Sequence, residues 1–285
     1  MVIKYAFRHL KNNVIKNLII GLAASAITTL LFVIRNQVWY YGVVGIIDTV
    51  FYGLRGFAYS FLILCAIQLL IYTIVFFKQR KLLAICEEKG ICGEYADEYK
   101  RVCLDNRANA YEHDKLYLAS IYMELGRYDE SYALYKSVNL KTLSPLGKCM
   151  YYNDIAYFSA KTGNIDEAFG ILTANREYIE KNTEKNRFYF CGYLDTYAFV
   201  MTLRGEYGQA LNALSRAYFK ADDVSYMCIL TRYVYVYAKM GDMRNAIIAR
   251  TTAENYLAHF RKYPTKWYKE KRLAILEIAE MGKNY

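Results

Sequence analysis

Residues 118–135 read LASIYMELGRYDESYALY, an apolar stretch that reaches Gly126 and resumes after a short polar break. The same pattern returns three times, at residues 155–172 around Gly163, 197–214 around Gly205 and 234–249 around Gly241. These glycines are separated by 37, 42 and 36 residues, and a weaker copy begins at Gly93. Internal similarity at this period predicts an all-α fold of about four to five helix pairs.

Small residues flank the glycines at fixed distances. One follows each glycine by five positions, at Ser131, Ala168, Ala210 and Ala246. Another precedes it by seven positions, at Ala119, Ala156 and Ala198, with Val234 as the exception. Glycine ends a helix because it adopts positive φ at little cost, and small residues let two helices cross closely. We therefore expect tightly packed helical hairpins, with residues 181–186 as a loop between the second and third.

Residues 82–285 resemble the tetratricopeptide repeat (TPR), whose turn glycine and two small packing positions match this pattern. They depart from it at the tryptophan position and in lacking the proline that closes each repeat. The resemblance implies an α-solenoid whose first helices line a concave groove for an extended or helical peptide. On that register the groove carries Ser120 and the partner-binding candidates Asn153, Tyr157, Lys161, Asp195, Phe199, Tyr235 and Lys239. The Asn153 amide suits a peptide backbone, and the two lysines suit an acidic group.

The net charge of +10 is unevenly distributed along the chain. Residues 1–81 hold nine basic residues and one acidic residue, a net charge of +8, whereas residues 82–285 carry only +2. The basic excess therefore lies beside the most apolar sequence, and not on a folded surface as in a nucleic-acid-binding domain. This distribution predicts a membrane protein without a nucleic-acid partner.

Two uncharged stretches, residues 17–34 and 56–77, are each near the length of about 20 residues that a helix needs to cross a bilayer. The first continues past its small residues without a break, which favours an uncleaved anchor over a secretory signal. Gly21 and Ser25 form a small-residue pair that allows close packing of the two spans or of two chains in a homo-oligomer. We expect a membrane anchor over residues 1–81 and a cytoplasmic repeat domain over residues 82–285.

The orientation follows from the basic residues. Four precede the first stretch, three follow the second, and only Arg35 and Arg55 lie between them. The positive-inside rule then places both termini in the cytoplasm of a multi-pass protein of the cell (plasma) membrane. The usage of Lys, Asn, Ile and Tyr favours a bacterial source.

The connection, residues 35–55, is itself apolar and aromatic. Two features oppose a third span over residues 38–54: Arg55 alone separates it from the next span, and Asp48 would cost about 2.5–3.5 kcal/mol near its centre. We interpret the connection as an interfacial or re-entrant segment on the outer leaflet. The alternatives that stay open are a third span and an intramembrane carboxylate at Asp48.

Motifs for catalysis are missing from the sequence. It has three histidines, no zinc-ligand spacing, and no nucleotide-binding or nucleophile-elbow motif. We therefore predict no enzyme activity, no cofactor and no metal, although a Cys–His pair formed only in space stays open. The seven cysteines and most of the 31 tyrosines are interpreted as packing residues.

The last predicted helix, residues 265–281, combines several basic residues with an apolar side and suits a solvating cap. Together these features predict a membrane-anchored scaffold that binds a protein or peptide partner through the concave face. The alternative is a transmembrane sensor in which the outer segment, residues 35–55, receives a signal.

Overall fold

The computed structural model describes residues 18–30 except 24 and 28, residues 42–105, residues 112–260 and residues 265–285. All regular structure in these residues is helical and none of them lies in a strand, which confirms the all-α prediction. The chain divides between Lys81 and Leu82 into two compact units, which are described separately.

The helix α1, Gly42–Glu88, has 47 residues. Its residues 42–81 are the main element of the first unit, and its last seven residues belong to the second unit. Its segment Thr49–Ile71 is long and apolar enough to cross a membrane, and the side chains of its most apolar window are not buried. α1 begins before the predicted span at residue 56 and passes Arg55 without a break, so residues 42–55 are helical.

The predicted first span is described only in part, as the shorter apolar helix Leu18–Ile27. Its small residues pack against α1. The Ser25 hydroxyl donates a hydrogen bond to the Gly53 carbonyl oxygen at 2.6 Å, and a Cβ added to Gly21 would lie 3.2 Å from the Phe57 ring. Residues 31–41 and the Asp48 side chain lie outside the described part of the chain.

The described part of the second unit contains helices α2 to α12 and one π-helical turn. They are α2 (Gly93–Lys100), the π-turn Arg101–Asp105, α3 (Glu112–Glu124), α4 (Tyr128–Ser137), α5 (Pro145–Lys161), α6 (Ile165–Ala174), α7 (Arg176–Thr183), α8 (Arg187–Leu203), α9 (Tyr207–Tyr218), α10 (Asp223–Met240), α11 (Met243–His259) and α12 (Thr265–Glu280).

Glycine turns join α3 to α4, α5 to α6, α8 to α9 and α10 to α11. Their φ angles are 74° at Gly126, 91° at Gly163, 77° at Gly205 and 78° at Gly241. These left-handed conformations confirm the prediction that each glycine ends a helix. The expected weaker copy at Gly93 needs a correction, because the left-handed residue is Gly90, with φ of 72°, and Gly93 begins α2.

The predicted small residues lie at the contacts within these pairs. The Ser131 hydroxyl donates to the Ala119 carbonyl oxygen across the first pair at 2.8 Å. The equivalent residues of the other pairs are fully buried: Ala156, Ala168, Ala198, Ala210, Val234 and Ala246. The backbones therefore approach closely where the sequence predicts a crossing.

The predicted loop over residues 181–186 is wrong in its first half. The additional helix α7 extends to Thr183 and contacts α5 and α8. Its only large apolar residue, Ile179, is fully buried. This additional helix accounts for the long interval between Gly163 and Gly205. It is difficult to predict because its sequence is mostly polar, and the single buried side chain of Ile179 is enough to hold its two turns against the core.

The last helix, α12, packs on α10 and α11 and ends one residue before the predicted position. It is only partly the solvating cap that the sequence predicts. The Lys266 side chain is exposed, but Lys271 forms an ion pair with Glu124 of α3. Trp267 packs so closely on Gly90 that its ring leaves no room for an added Cβ. Besides α10 and α11, α12 therefore contacts the turn at Gly90 and the C-terminal end of α3.

Candidate partner-binding face

Three helices supply the seven predicted partner-binding residues, and the predicted groove residue Ser120 lies on α3. α5 packs against α8, and α8 packs against α10. An aromatic row crosses these helices, because the ring centroids of Tyr157 and Phe199 are 5.3 Å apart and those of Phe199 and Tyr235 are 5.7 Å apart. We call the surface formed by α5, α8 and α10 around this row the aromatic face.

An ion pair lies at the centre of the aromatic face. The guanidinium of Arg232 donates two hydrogen bonds to the Asp195 carboxylate, from Nε at 3.0 Å and from Nη2 at 2.9 Å. Its carbon Cζ lies 4.5 Å from the centroid of the Phe199 ring. The Arg232 side chain is only 2% exposed. Its Nη1 atom makes no well-formed hydrogen bond among the described residues, although the Tyr157 hydroxyl interacts with the guanidinium as a weaker hydrogen bond. A buried guanidinium nitrogen that lacks a well-placed acceptor is suited to an acceptor from outside the chain.

Two lysines add positive charge to the same face. The Lys161 side chain is half-buried, and its burial, together with the nearby Arg232 cation, lowers the pKa of its ammonium group. Lys239 is exposed, and its Nζ atom lies 5.8 Å from the centroid of the Tyr235 ring. Asp195 pairs with Arg232, so the two lysines add a positive excess to the aromatic face. Such a surface attracts an acidic or electron-rich group.

Burial raises the pKa of the tyrosines in the row. The hydroxyl groups of Tyr157 and Tyr235 both have a pKa of about 12, mainly because of desolvation and despite the Arg232 cation. Both tyrosines are therefore neutral at physiological pH. They contribute apolar rings and hydroxyl groups, and not negative charge, to the aromatic face.

Asn153 lies one helical turn before Tyr157 and carries a second unused polar atom. Its Nδ2 donates to Asp154 at 3.3 Å, while its Oδ1 is buried without a hydrogen-bond partner in the described structure. Asp154 also accepts a hydrogen bond from the Ser120 hydroxyl at 3.2 Å. Burial raises the pKa of Asp154 to about 6. This polar cluster links α3 to α5 beside the aromatic face.

Residues 284–285 of the chain lie on the aromatic face. The ring centroid of Tyr285 is 5.7 Å from that of Tyr235 and 6.5 Å from that of Phe199. The Tyr235 hydroxyl donates to Asn284 Oδ1 at 2.5 Å. Phe199 and Tyr235 are fully buried members of the main core, and Tyr285 is one of the residues packed against that core, so these two predicted partner-binding side chains are not accessible in this arrangement.

The sequence register identifies six candidates that these contacts bring together, namely Tyr157, Lys161, Asp195, Phe199, Tyr235 and Lys239. It misses Arg232, which is central to the geometry. A signal was present, because Arg232 is the only charged residue in the stretch 224–238 and lies three positions before Tyr235 on the same helix side. The contribution of residues 284–285 carries no comparable local signal.

Other polar groups in the described residues offer less chemistry. His113 Nε2 lies 3.4 Å from the Ser144 hydroxyl, and His259 Nδ1 lies 2.9 Å from the Asn255 carbonyl oxygen. Burial raises the pKa of the Cys149 and Cys191 thiols to about 11, which disfavours the reactive thiolate. Within the described ranges, no group of three or more His, Cys, Asp and Glu residues is arranged to hold a metal ion.

No protein-family model, curated protein sequence or solved structure matches the chain significantly.

Proposed function

We propose that the chain is a membrane-anchored scaffold whose TPR-like repeat domain binds a protein or peptide segment through the aromatic face. The observation that carries the proposal is the environment of Arg232. A buried guanidinium nitrogen without a well-formed hydrogen bond lies beside aromatic rings and two lysines, and the Tyr157 hydroxyl interacts with that guanidinium only weakly. Buried polar groups are normally satisfied, so a poorly satisfied donor at this position favours a ligand.

A solenoid of the TPR type is the architecture that best fits this role. Its support is the set of four helix pairs with left-handed glycines at their turns and buried small residues at their crossings. Stacked pairs of this kind present the first helix of each pair on one side. α5, α8 and α10 are the first helices of their pairs, and they carry the aromatic face.

The anchor is a two-span hairpin in this proposal, with both termini in the cytoplasm. Thr49–Ile71 supplies one span by length and composition. The close contact of Gly21 and Ser25 with α1 supports a neighbouring span, because small residues allow helices to pack in lipid. Basic residues on both flanks favour a cytoplasmic location of both ends.

Protease protection tests this topology. An epitope tag at each end of the full chain should resist protease added outside intact spheroplasts and become sensitive after lysis. A single span would instead expose one tag. Extraction of membranes with alkaline carbonate should leave the chain in the pellet, and release into the supernatant would contradict integral anchoring.

In-cell photocrosslinking tests partner binding. A photoreactive amino acid at Tyr157, which is partly exposed, should capture a protein partner in the membrane fraction. Lys239→Glu should reduce that capture at least about tenfold, since it reverses an exposed charge on the face. The matched control Lys141→Glu changes an exposed lysine on the loop between α4 and α5 and should leave capture unchanged. Equal capture by all three proteins would contradict binding at the aromatic face.

One observation also favours a sensor as the second candidate. α1 begins at Gly42, so residues 42–55 of the predicted outer segment are helical and continue into the candidate span Thr49–Ile71. A folded, aromatic-rich segment of this kind is suited to receive a signal. If the chain is a sensor, replacement of residues 38–54 by an inert polar linker should abolish its response to the signal, measured as a change in partner capture. An unchanged response would contradict the sensor hypothesis.

A further inference from the structure

The position of residues 284–285 indicates more than chain packing. Besides its two aromatic neighbours, the Tyr285 ring lies 4.9 Å from Arg232 Cζ and 5.9 Å from Lys161 Nζ, each measured to the ring centroid. The ring is therefore held by two cations, which is a favourable arrangement for an aromatic side chain. The preceding residue, Asn284, is also held in place, because its Oδ1 atom accepts a hydrogen bond from the Tyr235 hydroxyl.

Tyr285 covers the aromatic face but leaves two of its buried polar atoms without a well-formed hydrogen bond. With Tyr285 in place, Arg232 Nη1 makes no well-formed hydrogen bond within the described structure, although the Tyr157 hydroxyl interacts with its guanidinium, and Asn153 Oδ1 has no hydrogen-bond partner there. The first is a donor, and the second is an acceptor. A longer peptide segment can satisfy both, since each of its residues offers a carbonyl oxygen and an N–H group.

We propose that residues 284–285 are an internal occupant of the aromatic face, which a partner segment carrying an aromatic side chain displaces. The inference rests on the proposed function, because it takes the aromatic face as the binding site and adds the chemistry and regulation of its ligand. The partner places its ring where Tyr285 lies and its backbone against Arg232 and Asn153. Residues 284–285 exclude weakly binding ligands from the aromatic face. A partner segment that makes the additional hydrogen bonds to Arg232 and Asn153 displaces them.

The attachment of the occupant is suited to exchange. Lys283 and Asn284 are exposed, and the Tyr285 side chain is only partly buried. At Gly282, where the chain leaves α12, an added Cβ would meet Ala238 and Lys239 only at ordinary van der Waals distance. Few contacts outside the ring hold the segment, so its release leaves the helices of the unit intact.

A peptide-binding assay tests this proposal without knowledge of the natural partner. The probe is a fluorescent peptide of sequence MGKNY, which matches residues 281–285, and the protein is the full chain in lipid nanodiscs. Tyr285→Ala should bind the probe about tenfold or more tightly than the wild-type chain, since the apparent affinity scales with the fraction of unoccupied face. A probe with Ala in place of its Tyr should not bind.

Two matched variants control the assay. Lys283→Ala alters an exposed neighbour of the occupant and should bind the probe as weakly as the wild-type chain. Tyr285→Phe keeps the ring that covers the aromatic face, so this variant should also bind the probe as weakly as the wild-type chain. If Tyr285→Ala fails to fold by circular dichroism, Asn284→Ala must increase probe binding instead, because it removes the acceptor of the Tyr235 hydroxyl.

The outcomes separate this inference from the proposed function. Equal probe binding by the wild-type chain and the opened variants, or binding by none of them, overturns internal occupancy. Crosslinking from Tyr157 can still capture a partner in that case, and the scaffold proposal then survives alone. Probe binding by Tyr285→Ala without any captured partner in cells would leave the occupancy standing and remove the scaffold.

Discussion

The helix segment Thr49–Ile71 and the core of residues 82–285 use similar apolar residues in opposite ways. Leu62 and Leu70 of the segment are 62% and 61% exposed, whereas Leu194 and Leu214 of the core are 1% and 0% exposed. Leucine exposed on all sides of a long helix is costly in water and favourable in hydrocarbon. The difference shows that exposure, and not composition alone, separates a segment long and apolar enough to cross a membrane from a helical core that buries its leucines.

The largest effect is expected where the core of residues 82–285 buries a charge. Arg232→Ala should lower the free energy of unfolding by about 3–5 kcal/mol, because it leaves the Asp195 carboxylate without its partner. The measurement is chemical unfolding of the full chain in detergent. The double variant Arg232→Met with Asp195→Asn removes both charges and should recover much of the loss. A loss that persists in the double variant would assign the effect to packing.

Leucine truncation tests the comparison directly. Leu214→Ala should cost about 2–5 kcal/mol, because it opens a cavity in a fully buried site. The matched variant Leu70→Ala should change the free energy of unfolding in detergent by roughly 0.5 kcal/mol or less. Equal losses at the two positions would break the comparison, since Leu70 would then be buried against protein.

The pH dependence of stability reports on Asp154. Its pKa is raised to about 6 in the folded chain, so the folded state holds the proton more tightly than the unfolded state. The resulting stabilisation is full below about pH 4 and is lost as the pH rises through about 6, which amounts to roughly 2–3 kcal/mol. Asp154→Asn lacks this titration, so its stability relative to the wild-type chain should increase over that interval. A constant difference from pH 4 to pH 7 would contradict the raised pKa.

A pair of glycine substitutions gives the smallest expected effect. Gly241→Ala should cost about 1–2 kcal/mol, because its φ of 78° is left-handed. Gly170 lies inside α6 with open space around it, and Gly170→Ala should stabilise the chain by about 0.5–1 kcal/mol. Thermal unfolding measured by circular dichroism compares the two. Opposite shifts are expected, and two shifts of the same sign would contradict the assigned role of Gly241.

The sequence predicts the helix pairs well because their determinants are local. A glycine and two small residues specify each turn and crossing. Ser144, another local determinant, caps α5 by accepting a hydrogen bond from the Gly147 amide at 3.1 Å. The helix α7 escapes prediction because Ile179 is its only strong apolar signal.

The candidate site is predicted less completely, because its geometry depends on contacts distant in sequence. The register places Asp195 in the groove but does not reveal that Arg232, 37 residues later, neutralises it. It also presents Phe199 and Tyr235 as surface residues, whereas Tyr285 helps to cover them. A register assigns sides of a helix, and only tertiary packing decides which sides are accessible.

The contacts of α12 with Gly90 and Glu124 have a consequence for how residues 82–285 unfold. A linear array with two free ends loses its terminal helices first, so that melting proceeds by fraying. Here the last helix is fastened to the first elements by Trp267 and Lys271. Truncation at either end therefore removes support from the other, and the whole assembly should melt in one concerted transition.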